Sequence, residues 1–154
     1  MKTAPVSILA LALLVLAGCT TITPEQSALV RFVRAPEPLL SRSIADEAAA
    51  RKFRQMADGR WEQVIMREKD PVLGLVTVSE NAQLALRFST AIEPVTGDTC
   101  RLRAYPVSAM KHYLSEKYTE RPIPANRDLI ALIDTAVANA ETEFAKRASM
   151  TVPR

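Results

Sequence analysis

Residues 83–104 read QLALRFSTAIEPVTGDTCRLRA, and their rhythm decides the fold. Leu84, Leu86 and Phe88 alternate with Gln83, Ala85 and Arg87; further on, Cys100, Leu102 and Ala104 alternate with Arg101 and Arg103. A period of two places each apolar set on one face of a strand and each polar set on the other. Glu93-Pro94 and Thr96-Gly97-Asp98 form a turn-rich connection that is too short for a crossover. The two strands therefore run antiparallel, with one face buried and one face carrying arginines.

Upstream the pattern stays β-like. Val72 to Val78 is β-branched and apolar, with Gly74 marking a bulge, between turns at Asp70-Pro71 and Glu80-Asn81. Trp61 to Met66 reads as a further strand in preference to a last helical turn. Before it, Ser43 with Asp46 has the spacing of a capping box, and Glu47 adds negative charge to a first helical turn. Ala45, Ala49, Phe53 and Met56 then form one apolar stripe, and Asp58-Gly59 stops the helix. Arg51, Lys52 and Arg54 lie off that stripe, as a solvated face or a contact patch for an acidic partner; Glu47 and Arg51 are spaced to pair.

Downstream, the helical period returns after Pro106, with Val107, Met110, Leu114 and Tyr118 on one side. Arg121-Pro122-Ile123-Pro124 is an extended break. Asn126 then caps the last and longest helix, with Asp128 in its first turn and Ile130, Ile133, Val137, Ala140 and Phe144 as its buried stripe, widened by Leu129, Leu132 and Ala136. Lys146 and Arg147 complement its C-terminal dipole, and Pro153 lies just past its end. These elements predict an α+β domain: an antiparallel sheet of three to four strands with two to three helices packed on one face.

The chain has 154 residues, 48% hydrophobic and 24% charged, a balance that excludes a disordered or collagen-like protein. Twenty Lys and Arg stand against 17 Asp and Glu. So mild an excess gives no reason to expect a nucleic-acid partner. Two cysteines exclude a disulfide scaffold.

The N-terminus, MKTAPVSILALALLVLAGC, has one cation at Lys2, an apolar run from Ile8 to Leu16, and a small-residue exit at Ala17 and Gly18. That is the order of a secretory signal, and the run is short of the roughly 20 residues a bilayer crossing requires. Leu16-Ala17-Gly18-Cys19 resembles the lipobox of bacterial lipoproteins. The resemblance covers residues 1–19 and names a processing class. It implies lipidation of the Cys19 sulfur, cleavage before Cys19, and, because Thr20 and not Asp follows, carriage to the outer membrane with the body on its periplasmic face. Each buried CH₂ adds about 0.8 kcal/mol, so two or three acyl chains make such an anchor effectively permanent. The expected organisation is a signal peptide at 1–18, a lipidated cysteine and flexible tether at 19–40, and a single α+β domain at 41–150. Pro24, Pro36 and Pro38 interrupt the tether, although 28–34 alternates partly and either pairs as a strand or docks on the domain. Arg31 and Arg34 are solvated there or meet anionic headgroups.

Catalytic equipment is sparse. His112 is the one histidine, and Ser108, His112 and Glu116 at i, i+4 and i+8 would share one exposed helix face, without the oxyanion hole and cleft that a triad needs. Metal ligands do not cluster: with Cys19 lipidated, only Cys100 and His112 remain as zinc ligands, and Glu93 and Asp98 lack the alternating spacing of a calcium loop. Four glycines leave no phosphate-cradling loop, and no cofactor is expected. Cys100 is either a small buried apolar residue or a disulfide partner for a second chain.

The expected function is that of a non-catalytic accessory or interaction component of a cell-envelope system (secretion, conjugation, assembly or a phage- or plasmid-encoded envelope factor) with envelope protein partners. Candidate contact residues are Arg51, Lys52 and Arg54 on one surface and Arg101 and Arg103 on the other. The alternative is a module that binds lipid, glycan or peptidoglycan fragments.

Overall fold

The alternation at 83–104 forms a hairpin longer than the sequence alone suggests. The computed structural model of the chain describes residues 22–69, 81–111 and 117–150. Strand β4 spans Asn81–Thr96 and strand β5 spans Thr99–Lys111, antiparallel, with a turn at Gly97 and Asp98 and a bulge between Pro94 and Thr96. Strand β3 (Trp61–Lys69) pairs with β4, and the two-residue β2 (Arg54–Gln55) pairs with β3. Strand β1 (Leu29–Val33) and strand β6 (Tyr118–Pro122) lie end to end along the free edge of β5. The described residues thus hold one antiparallel sheet of six strands, ordered β1-β5-β4-β3-β2 with β6 also on β5, not the three to four anticipated. With helices α1 (Pro24–Ser27), α2 (Glu37–Ala50) and α3 (Arg127–Met150), the class is α+β. No described helix is long and apolar enough to cross a membrane.

Two segments correct the sequence reading. Residues 24–40, within the expected tether, contain α1, β1 and the first turn of α2, and β1 is the strand pairing that the partial alternation of 28–34 offers. Thr23 caps α1 with a complete capping box to Gln26. Pro36 and Pro38 do not break structure here: Pro36 is the extended N-cap of α2 and Pro38 lies in its first turn, where N–H groups have no intrahelical partner, so proline loses nothing. Arg31 is committed to Asp134 of α3 at 2.8 Å and does not trail in solvent.

Helix α2 starts at Glu37 and not at Ser43, whose hydroxyl donates to the Ala136 carbonyl of α3 at 2.7 Å. Its buried positions are Leu39, Leu40, Ile44 and Ala48, while Ala49 is exposed. The helix ends at Ala50 and not at Gly59. Phe53 N–H bonds the Ala48 carbonyl and Lys52 N–H bonds the Ala49 carbonyl, with Lys52 at φ +64°, the double closure that satisfies a helix's last carbonyls. Phe53 consequently sits in the core from outside the helix.

The second correction lies after Pro106. β5 continues to Lys111 where a helix was anticipated, and Tyr118 opens β6. Ile123 N–H bonds the Pro106 carbonyl, so the missing donor of Pro106 points to the gap between β1 and β6 and away from β4. A proline is therefore tolerated inside this strand. Ser108 is on β5 and so not on a helix face; His112 and Glu116, with which it was to align, lie outside the described residues, as do residues 70–80 with their anticipated strand and Pro153.

α3 forms where the sequence places it, with its buried face shifted: of the anticipated stripe only Ile133 and Ala140 are buried, Val137 and Phe144 are partly buried and Ile130 is at the margin, and the face centres on Leu129, Leu132 and Ala136. Leu129 N–H bonds Asn126 Oδ1 at 2.9 Å, and the buried positions are Leu129, Leu132, Ile133, Ala136 and Ala140. These residues and those of α2 join one buried cluster with Leu86 and Phe88 of β4, Cys100, Leu102 and Ala104 of β5, and Val33 of β1. Phe53 meets Phe88 edge to face, 5.3 Å between centroids. Cys100 lies within this apolar cluster, and burial pushes its thiol up.

Candidate functional site

Cross-strand register assigns the remaining side chains to the opposite face of the sheet. Arg54 is opposite Glu62, Glu62 opposite Arg87, and Arg87 opposite Val107, the parity of Arg103 and Arg101. This second face carries two groups of charge at opposite ends.

The first is a closed ionic chain. Arg54 Nη2 donates to Glu62 Oε1 at 2.6 Å, and Arg87 Nη2 donates to Glu62 Oε2 at 2.6 Å. Arg87 Nη1 donates to Glu120 on β6, which also accepts from Arg60 at 2.7 Å, and Arg60 in turn donates to Asp58 at 2.7 Å. Glu62 and Arg87 are only 2% and 5% exposed. The Tyr118 ring lies 4.1 Å from the Arg87 guanidinium carbon, and its hydroxyl donates to Gln83 at 2.6 Å. Ala85 and Ala109 face each other in the next row and are fully buried, small enough to leave this space to the long charged side chains.

Burial by itself would push the Glu62 carboxyl up, but the bonds from Arg87 and Arg54 outweigh it and hold it below the usual carboxylate range. At Glu120 burial is likewise outweighed, by Arg60 and then Arg87. The chain alternates in sign from Arg54 to Asp58, and each buried charge has partners of opposite sign, the condition under which charge is tolerated out of water. Both carboxylates are held ionised, and Glu62 accepts two bonds at each oxygen, which suits fixing β6 and the β2–β3 hairpin to the sheet and not exchanging protons.

The second group lies beside β1. Arg101 Nε donates to Glu93 at 3.0 Å, and Arg103 approaches the same carboxylate at 3.9 Å. The Arg101 bond holds Glu93 low. Phe32 is directly opposite Arg101, and Val30 opposite Arg103. Along with Glu25 of α1 and Tyr105 they line an open cleft of about 340 Å³.

The anticipated contact residues fall into different places. Arg51 caps α2, pairs with Glu47 at 3.5 Å, and donates to Thr135 of α3 at 3.4 Å, while its carbonyl accepts from Gln63. It joins elements and presents little to a partner. Lys52 is exposed at the left-handed turn. Arg54 is separated from both by that turn and belongs to the ionic chain. Arg51, Lys52 and Arg54 therefore do not form one surface, whereas Arg54 shares a sheet face with Arg101 and Arg103. Cys19 lies outside the described residues. Sequence reasoning missed Glu62, Glu120, Arg60, Asp58 and Tyr118; the one signal was Arg87, on the polar side of an alternating strand.

A third feature is a cleft of about 350 Å³ on the helix side of the sheet, lined by Ser108, Met110, Thr119, Arg121 and Ile123. Ser108 is directly opposite Arg121, and Met110 opposite Thr119, so two hydroxyls and a guanidinium converge over apolar walls. No family model, no curated protein and no solved structure matches this chain.

Proposed function

We propose that the chain is a bacterial envelope lipoprotein, lipidated on Cys19 and held on the periplasmic face of the outer membrane, where it acts as a non-catalytic accessory component of a secretion, conjugation, assembly or phage- or plasmid-encoded envelope system. The observation that carries this reading is Leu16-Ala17-Gly18-Cys19 closing an apolar run that begins shortly after Lys2. The ionic chain supports its non-catalytic part: Glu62 and Glu120 are each engaged by two arginines and held ionised, the reverse of a poised acid or base. Mass spectrometry of the mature N-terminus tests the anchor. A diacylglyceryl-modified Cys19 is expected, together with loss of membrane fractionation in Cys19→Ser; an unmodified cysteine sinks the reading. Crosslinking in intact cells tests the interaction role, and a chain recovered only as an uncrosslinked monomer counts against it.

A second reading, binding of a lipid, glycan or peptidoglycan fragment, is favoured by the cleft beside Arg121, which has apolar walls and convergent polar groups. Its test is calorimetric titration with muropeptides and with anionic lipid headgroups against the chain and its Arg121→Ala variant. Saturable heat that disappears in the variant would establish it, and no heat with either ligand would remove it.

A further inference from the structure

Seven large apolar side chains of the described residues are exposed, and three of them, Ile22, Val30 and Phe32, belong to α1's approach and to β1. Phe32 is 67% exposed, Val30 42% and Ile22 40%. Phe32 and Val30 are on the same face of β1, and the cleft they line also takes in Glu25 of α1, so α1 and the chain leading into it lie over this end of the sheet. Ile22 immediately precedes Thr23, the cap of α1.

We propose that this face, Ile22, Val30 and Phe32 with Arg101, Arg103 and Tyr105, lies on the lipid surface, seated in the headgroup layer next to the anchor. The proposal rests on the lipid anchor inferred for Cys19. From Cys19 to Thr23 is about four residues, which span at most about 14 Å even fully extended. An acylated Cys19 lies at the headgroup boundary, so the start of α1 is held within that distance of the bilayer, and the sheet end beside α1 is the part of the body nearest the lipid. An apolar surface at an interface buries to a depth of about 5–10 Å. The composition suits that depth: a phenylalanine and aliphatic residues to enter, and a tyrosine and two arginines whose apolar stems lie along the surface while their polar ends stay wet.

The charges decide what kind of contact this is. Arg101 and Arg103 are balanced by Glu93, which both approach, and by Glu25 on the cleft's other wall. The face is close to neutral, so apolar contact and not attraction to anionic lipid holds it. Its contact with zwitterionic and with anionic vesicles is therefore similar and insensitive to salt.

The experiment uses the full lipidated chain in vesicles of phosphatidylethanolamine and phosphatidylglycerol, and separately of phosphatidylcholine. A polarity-sensitive fluorophore is attached at Phe32→Cys, at Val30→Cys, or at Asn139→Cys on the exposed side of α3; Cys100 is buried and stays unlabelled. Nitroxide-bearing lipid is expected to quench positions 30 and 32 several-fold more than position 139, equally in both lipids and at high salt. Equal quenching at all three positions, or quenching of position 32 by aqueous iodide as strong as that of position 139, overturns the proposal. So does protection that appears only when another envelope protein is added, because that assigns the face to a protein partner. The mass of the mature N-terminus separates the two levels: an unlipidated chain removes the anchor and this face together, whereas a lipidated chain with unquenched position 32 removes only this face.

Discussion

Arg87 and Phe88 are neighbours on one strand and point to opposite sides of one sheet, and both are nearly inaccessible to water. Phe88 is surrounded by the apolar residues of α2 and α3, Arg87 by two carboxylates and an aromatic ring. Burial is thus reached by two different physical routes. On one side, the removal of apolar area from water drives packing without demanding direction. On the other, desolvation of charge opposes burial and is offset only if each donor and acceptor finds its counterpart. The apolar side tolerates approximate fits; the ionic side depends on all its members at once.

The largest test of that contrast is Phe88→Ala. Removing a fully buried ring, together with its contact to Phe53, is expected to destabilise the fold by about 3–5 kcal/mol, read as a lower urea midpoint with an unchanged slope. Arg87→Met comes next, at about 3 kcal/mol, because it keeps the side-chain bulk yet leaves Glu62 buried with only Arg54 as partner. A loss well under about 1 kcal/mol would mean that the ionic chain merely decorates the surface and that the two faces do not differ as argued.

The third test is acid. Glu62 and Glu120 are held below the ordinary glutamate value of 4.5, so between that value and their folded values the unfolded chain binds more protons than the folded one. Stability is therefore fully present above about pH 4.5 and declines as pH falls through the folded values. Thermal unfolding followed from pH 7 to pH 3 should show Tm falling over that acid range. Glu62→Gln, which cannot titrate, should start from a lower Tm and lose less on acidification. A wild-type Tm that stays flat down to pH 3 would show that these carboxylates gain nothing from their arginines.

The two faces were also unequally legible from sequence. Leu84, Leu86 and Phe88, and Cys100, Leu102 and Ala104, disclose the apolar side because exclusion from water imposes a period of two along each strand. The existence and start of α3 were equally open, since Asn126 supplies a cap and apolar residues recur at helical spacing, although its buried face is centred on Leu129, Leu132 and Ala136 and ends at Ala140. What failed was punctuation. Pro36 and Pro38 read as breakers but occupy the N-cap and first turn of α2, Pro106 sits where β5 changes edge partners, and Lys52 takes a left-handed conformation that sequence reading assigns to glycine. Val107, Met110 and Tyr118 fit a helical spacing yet stand on strands, and that hid β6 and with it Tyr118 and Glu120. The ionic chain was illegible for a further reason. Alternation states which side of a strand a charge is on, but whether another element covers that side is decided by partners distant in sequence, here Glu62 and Glu120 around Arg87.

The smallest expected effect sharpens the comparison within a single face. Arg101 bonds Glu93 much as Arg87 bonds Glu62, through a guanidinium Nε and Nη2 on one carboxylate oxygen. The difference is water: the Arg101 and Glu93 side chains are 38% and 43% exposed, against 6% and 1% for Arg87 and Glu62. Solvent screens the exposed pair and rehydrates whichever partner is left, so Arg101→Ala should leave the urea midpoint unmoved within error. A loss comparable to that of Arg87→Met would show that geometry alone, and not burial, sets the strength of these pairs. No loss would locate the structural demand for charge in the network that joins β3, β4 and β6 and leave the Arg101 end of the sheet free to serve a surface role.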